Sequence, residues 1–387
     1  MKRSARFISV VLTVIMTFSM VFSVSAYQKS ELETAISSGI NYFKDVQKPL
    51  YETDVTLKGT PFHAMMRAET AMLSQTEYLF LVPSYDVNSV SKYGTALEYA
   101  NMIIICVMSG IDPTTVINGL NVVDKLIAMQ QSDGLFYDAN STDPSYESHF
   151  WSMIALDLLN AEYNRAEALT AVERIELSVG GFAPQEADNP DIKLTALATI
   201  ALSRYTNPRA IELKNRCVSL LKASYQNGRF TVYGEGEESN IVTHSLCVMA
   251  LIAAGEQIWN EPYTTEESDP MQYILNCQDE SGGFWYSPEY KETPSGDHKS
   301  AEDFASAVAM CAIIDSKNTR SYFLNVGEKF YDNTHAETAP EPEVSGFEMK
   351  YVLIVGGGLI VFLALVFIFA LFSSKPKEKK TKKSLQI

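Results

Sequence analysis

Two kinds of helical pattern alternate along this chain. Asn207–Tyr225 is amphipathic: Ile211, Val218, Leu221 and Tyr225 fall on one face, and Glu212, Asn215, Arg216, Ser219 and Lys222 fall elsewhere. Ile192–Leu202 differs, because Leu194, Ala196, Leu197, Ala198, Ile200, Ala201 and Leu202 cover nearly its whole circumference. Phe150–Leu159, His244–Ala254 and Phe304–Ile314 share that character, and Pro61–Met72 and Gly94–Ser109 bring the set to six. A helix apolar all round is buried on more than one side. The alternation therefore predicts six inner helices within six outer ones, an all-α α6/α6 toroid. Glu31–Phe43, Asn118–Met129 and Met271–Gln278 read as outer helices, and Tyr78–Lys92 is ambiguous.

A turn recurs between the two kinds of helix. Its fullest copy is Cys277–Trp285, and Gly134, Gly181, Gly228 and Gly283 mark the copies at spacings of 47, 47 and 55 residues. A period in this range signals stacked helix pairs. Glycine at a helix C-terminus takes left-handed geometry without a Cβ clash. The aromatic that follows it (Phe136, Phe182, Phe230 or Phe284) is placed to plug the gap between neighbouring pairs. Glu147, Asp191, Ser239 and Glu302 precede the inner helices, as N-caps or as acids favoured by the helix dipole.

The two ends change the picture. Lys2, Arg3 and Arg6, the apolar run Phe7–Phe22 and Val24-Ser25-Ala26 read as a signal peptide over 1–26. Tyr351–Phe372 is uncharged for 22 residues, enough to span a membrane, and six lysines follow it in 373–387. Positive residues stay cytoplasmic, so the expected protein is a single-pass plasma-membrane protein with residues 27–333 outside. Residues 334–350, with Pro340, Pro342, Glu337, Glu341 and Glu343, read as an acidic stalk. The two ends hold nine basic residues and one acid, leaving 22 Lys+Arg against 46 Asp+Glu on residues 27–350, a charge of −24. Such a surface repels nucleic acid and anionic headgroups. The five cysteines, an odd number mostly in apolar helices, read as buried thiols rather than a disulfide framework.

Gln278-Asp279-Glu280-Ser281-Gly282-Gly283-Phe284-Trp285 resembles the Gln-Trp-type repeat of the squalene cyclase and protein prenyltransferase superfamily. Asn189-Pro190-Asp191-Ile192-Lys193-Leu194-Thr195-Ala196, Met249–Gly255 and Ser109–Pro113 resemble bacterial surface toroid proteins. A similar segment occurs in the intrinsic factor and transcobalamin vitamin B12 binders. The resemblance spans roughly residues 31–331 and implies the toroid fold. It also implies a bulky, partly apolar ligand such as a corrinoid, although no β-domain follows to close over one.

The catalytic signatures of those relatives are absent from the sequence. No Asp-x-Asp-Asp acid occurs, and the nearest run, Asp188–Asp191, reads mainly as a turn and cap. Asp297, His298, Cys277 and Cys311 lack zinc-ligand spacing, and Ala253–Gln257 lacks the thioester cysteine. Glu302 and Asp303, next to Asp297 and His298, read either as an acid–base cluster at the ring's mouth or as capping and solvation. His149 and His244 read as structural histidines or as ligands. Tyr137, Trp151, Trp285 and Tyr286 either stack on a flat ligand or pack in the core. The ligand-contact candidates are therefore Tyr137, His149, Trp151, Asp191, Trp285, Tyr286, Glu302 and Asp303. No metal or resident cofactor is expected. The expected function is binding of a small molecule or a surface partner, with a degenerate terpenoid cyclase or a polysaccharide-active enzyme as the alternative.

Overall fold

A computed structural model describes residues 30–47, 49–50, 60–74, 94–115, 120–138, 141–185, 187–231, 240–265, 269–297 and 299–324. The expected signal peptide, stalk, membrane span and basic tail lie outside the described residues, as do Tyr78–Lys92, Ser239 and His298. The described residues belong to one compact unit, Met1–Tyr331. No helix among them is long and apolar enough to cross a membrane.

The helices are α1 (30–42), α2 (Pro61–Ser74), α3 (Ala96–Met108), α4 (Val122–Ile127), α5 (Tyr146–Leu158), α6 (Arg165–Ile175), α7 (Ile192–Leu202), α8 (Pro208–Ser224), α9 (Ile241–Ala254), α10 (Pro270–Asn276), α11 (Pro288–Glu292) and α12 (Asp303–Asn318). The apolar six pack in the order α2, α3, α5, α7, α9, α12, and α12 returns to α2. That sequence of contacts is a closed ring. Helices α3, α5, α7, α9 and α12 are buried on nearly every face, as are Pro61–Met66 of α2. Helices α1, α4, α6, α8 and α10 show one polar and one buried face and lie outside it, so five of the six expected outer helices are among the described residues. In α8 the buried stripe is Ala210, Leu213, Cys217, Val218 and Leu221; Ile211, expected on that face, is exposed. The cysteines are buried free thiols.

Helices α5 and α9 begin four and three residues earlier than apolarity alone suggests. Their first turns are polar but still buried, as with Ser148 and His149 in α5 and Thr243 and His244 in α9. The caps of α5 and α9 shift accordingly, while that of α7 stands where expected. Ser145, Asp191 and Asn240 accept amides of α5, α7 and α9, whereas Glu147 is the second residue of α5. Glu302 precedes α12 but makes no capping hydrogen bond with its side chain.

The glycine turns carry the ring's closure, at Gly134 and Gly228 as expected and one residue earlier than expected in the other two. The left-handed glycines two residues before each phenylalanine are Gly134, Gly180, Gly228 and Gly282, with φ of 87°, 86°, 80° and 88°. At Gly228 the turn is a two-residue Asn-Gly hairpin between β1 (Tyr225–Gln226) and β2 (Arg229–Phe230). Gln130 and Gln278 fasten two of these turns to the next outer helix. Gln130 Nε2 donates to Gly134 O and to Asn164 O, beside α6. Gln278 Nε2 donates to Gly282 O and to Ala35 O, both at 2.9 Å. Ala35 is on α1, so this last turn fastens the end of the chain's ring to its beginning.

Candidate functional site

The mouth of the ring is set by register. The second residue of each inner helix is Phe62, Leu97, Glu147, Lys193, Val242 or Phe304. Two neighbouring pairs of them touch. Phe62 and Phe304 lie edge to face with centroids 5.9 Å apart, and Lys193 Nζ lies 3.1 Å from Glu147 Oε1. The rim thus has one aromatic side, on α2 and α12, and one charged side, on α5 and α7. Beside the charged side is a cleft of about 230 Å³, lined by Tyr146, Glu147, Pro184, Lys193, Leu194 and Leu197 among others.

Inside the rim, rings from separate segments meet. Phe62 meets Trp151 of α5 at 5.7 Å and 80°, although α2 and α5 are separated in the ring by α3. Phe323, beyond α12, meets Trp151 at 6.0 Å and Phe62 at 6.3 Å. Phe62, Trp151 and Phe323 are 6 %, 6 % and 1 % exposed, while Phe304 at the mouth is 41 % exposed. Trp151, expected either to line a cavity or to pack, packs.

A histidine–carboxylate contact borders the aromatic side. His63 Nε2 lies 3.1 Å from Asp303 Oδ2, with His63 buried and Asp303 partly exposed. Thr60 holds the other face of the imidazole: its amide donates to Nδ1 at 3.2 Å, and its hydroxyl lies 2.8 Å from the same atom. An accepting Nδ1 puts the proton of the neutral ring on Nε2, facing the carboxylate. The pair joins the first inner helix to the last. Asp303 thus meets His63, 240 positions away in sequence.

The other sequence candidates serve the turns. Tyr137 donates its hydroxyl to Asp133 Oδ2 at 3.0 Å, and Trp285 donates Nε1–H to Asp279 Oδ2 at 2.9 Å. Each ring thus folds back on the carboxylate of its own turn. Tyr286 pairs with the Tyr290 ring at 6.3 Å, and its carbonyl accepts the Ile241 amide, fastening one turn to the start of α9. Asp191 lines the 230 Å³ cleft, yet its carboxylate accepts the Leu194 amide at 2.7 Å as the cap of α7. His149 is fully buried between Phe136 and Phe150.

A rule emerges at the fifth residue counted from each cap inclusive: His149, Thr195, His244 and Ser306. Thr195 Oγ1, His244 Nδ1 and Ser306 Oγ receive the amides of Phe182, Phe230 and Phe284. His244 Nε2 also contacts Pro270 O at 2.7 Å. His244 thus braces its turn, as Thr195 and Ser306 brace theirs.

Burial holds both histidines neutral, with His149 and His244 each lowered to about 4, opposed by the Ala168 backbone and the Pro270 carbonyl respectively. An unfolded histidine titrates near 6.5. Below that pH the unfolded chain takes up protons that the folded chain refuses, so stability falls from about pH 6.5 to pH 4 and this contribution levels off below. The loss is on the order of 3 kcal/mol per histidine. Urea midpoints measured from pH 7 to 4 are expected to fall less in His244→Gln than in the parent chain.

Among the described residues no group of three or more His, Cys, Asp or Glu is placed to hold a metal ion. Residues 139–326 match the family model of the prenyltransferase alpha-alpha toroid domain. The chain carries an α/α-toroid domain. Its fold is similar to that of the type II terpene cyclase MstE from Scytonema, in the apo form, with a TM-score of 0.53 at 10 % identity over 75 % of this chain and 99 % of that one. It is also similar to a family 88 glycosyl hydrolase from Bacteroides vulgatus, with a TM-score of 0.50 at 11 % identity over 75 % and 99 %. At such identities the likeness is one of fold. No curated protein matches the chain.

The end of the toroid away from the mouth holds a polar cluster that the sequence reading passed over. Asp157, buried near the end of α5, accepts from Tyr163 Oη at 3.0 Å and from Arg165 Nε at 2.7 Å. Burial raises its pKa, and Arg165 opposes that. Arg204 beside it donates to Asp157 O and Phe323 O. A lone acid inside the apolar run Met153–Leu159 was the available signal, since such a charge is kept only where a partner meets it. His63 and Phe304 carry a different signal, their shared place in the first turn of an inner helix.

Proposed function

We propose that the toroid is a non-catalytic binding domain displayed outside the cell by a C-terminal membrane span, and that its mouth binds a bulky, partly apolar ligand or a surface partner. The observation that carries this reading is Phe304, a large aromatic left 41 % exposed beside buried rings. A half-exposed aromatic on a rigid aromatic floor is what a contact anchor needs, because it is already ordered before binding. The buried rings beneath Phe304 favour a guest that sits on the mouth over one swallowed by the ring. A corrinoid would lie across the rim, with Phe304 and Phe62 beneath its apolar edge and the Glu147–Lys193 pair beside its amides.

The His63–Asp303 pair favours a second reading, acid–base catalysis on a ligand held at the same mouth, as in a degenerate cyclase or a polysaccharide-active enzyme. The two readings separate on variants. Phe304→Ala is expected to cost less than about 1 kcal/mol of stability and to abolish capture of the guest. Asp303→Asn should leave capture intact if the domain only binds. Native mass spectrometry and partner capture with the 27–350 fragment provide the assay. Guest binding that survives Phe304→Ala would remove the mouth as the binding face, and turnover lost in Asp303→Asn would establish the catalytic reading.

A further inference from the structure

The glycine turns lie at the mouth end of the toroid. Phe182 O accepts the Asp191 amide and Phe284 O accepts the Glu302 amide, each at the start of an inner helix. Two large apolar side chains stay exposed at this end, Phe304 on the rim and Val179, 68 % exposed, in the second turn. Phe304 is the one aromatic ring among the exposed large apolar side chains of the described residues. The cleft of about 230 Å³ opens at the same end, lined by Pro184 five residues after Val179. It exceeds the ~150 Å³ that holds a benzene ring, so it has room for an apolar side chain. Two ring-to-ring steps, 5.9 and 5.7 Å, lead from Phe304 through Phe62 to Trp151. Trp151 is one helical turn along α5 from Glu147, which lines the cleft. An extended segment of about four residues, ~13 Å long, covers that span.

The charge of this end says what such a segment carries. The described residues of the four connections from glycine turn to inner helix (131–145, 177–191, 225–240 and 277–302) hold eleven carboxylates and three cations. Two of the cations are already engaged. Arg229 pairs with Glu289, and Lys291 Nζ donates to the carbonyls of Asn276 and Gln278. Asp143, Asp188, Glu280, Glu292 and Asp297 are exposed and make no side-chain hydrogen bond or ion pair among the described residues. Glu302 and Asp303, both partly exposed, immediately precede Phe304. An exposed aromatic face next to carboxylates suits a cation, which gains from the ring quadrupole and from the acids together.

We propose that the mouth docks a basic segment of a partner protein. A lysine or arginine of the partner lies over the exposed face of Phe304, with its charge towards Glu302 and Asp303, and a neighbouring apolar side chain enters the cleft beside Glu147. This rests on the mouth being the binding face and names the chemistry of its guest.

The test uses the full chain at 0.15 M salt with defined probes: a fluorescent peptide alternating lysine and leucine, and its counterpart with glutamine in place of lysine. The lysine peptide is expected to bind at least about tenfold more tightly. Phe304→Ala should weaken it about tenfold, and Phe304→Trp should hold it at least as well as the parent chain, because indole is the best cation–π partner. Neutralising Asp297→Asn and Glu302→Gln together should weaken it about fivefold. Neutralising Glu162→Gln and Glu261→Gln removes the same charge from the other end, beyond inner helices about 16–24 Å long. That exceeds the Debye length of ~8 Å, so the loss there should stay below about twofold. Equal affinity for the two peptides, or equal losses from the two neutralised pairs, would overturn the basic partner. The mouth would still stand if Phe304→Ala abolished binding of the glutamine peptide. Peptide binding that ignores Phe304→Ala would remove the mouth as the binding face and this inference with it.

Discussion

Gly282→Ala is expected to destabilise the toroid by about 4 kcal/mol or more, a loss read as a fall in the urea midpoint at unchanged slope. Two costs combine. Gly282 has φ 88°, where an L side chain is strained by about 1–2 kcal/mol. A Cβ there would also stand 2.0 Å from Ser38 O, a backbone atom of α1 that cannot swing aside. The contact is where the last turn meets the first helix, so relief means parting the ring at its seam. Gly255→Ala separates the two costs. Gly255 has φ 89° but nothing within 4 Å of the added methyl, so only the strain applies. Gly134 meets Glu167 O at 2.1 Å in the same way, and Gly134→Ala should match Gly282→Ala rather than Gly255→Ala.

Trp151→Ala is expected to cost about 3–5 kcal/mol, the range for deleting a large buried ring. Three features place it there. The indole is 6 % exposed, and it touches rings from two other segments of the chain. Its neighbours are held from behind, Phe323 by Arg204 and Phe62 by its place in α2, so the void cannot collapse fully. By contrast Trp285, 8 % exposed and bonded to Asp279, belongs to a turn at the periphery. Its replacement by phenylalanine should cost about 1 kcal/mol, close to the value of one hydrogen bond.

The double ring was legible because burial on all sides leaves a compositional trace. Leu194–Leu202 contains no charge, and a helix can be so only when other helices surround it. The turns were legible from glycine followed by phenylalanine, but not to the residue. Both Gly180 and Gly181 are left-handed, and the hydrogen bonds from Gly180 N to Leu177 O and from Leu177 N to Gly181 O fix the equivalence. Capping was legible at Asp191 and misplaced at Glu147, because a helix whose first turn is polar hides its start. The site was harder. Tyr137 and Trp285 look like stacking residues until the carboxylates of their own turns claim them. His63 and Asp303 are 240 positions apart and meet only because the ring closes. Phe323 gives no warning at all, since its place beside Trp151 and Phe62 depends on one reversal at Thr319.

Side chains from separate inner helices meet across the inside of the ring. A double-mutant cycle between Phe62→Ala and Trp151→Ala measures that meeting directly. Sites in contact couple by about 0.5–3 kcal/mol, whereas sites without shared partners add. The account predicts a coupling of at least about 1 kcal/mol between Phe62 and Trp151. Additive losses in the cycle would contradict it.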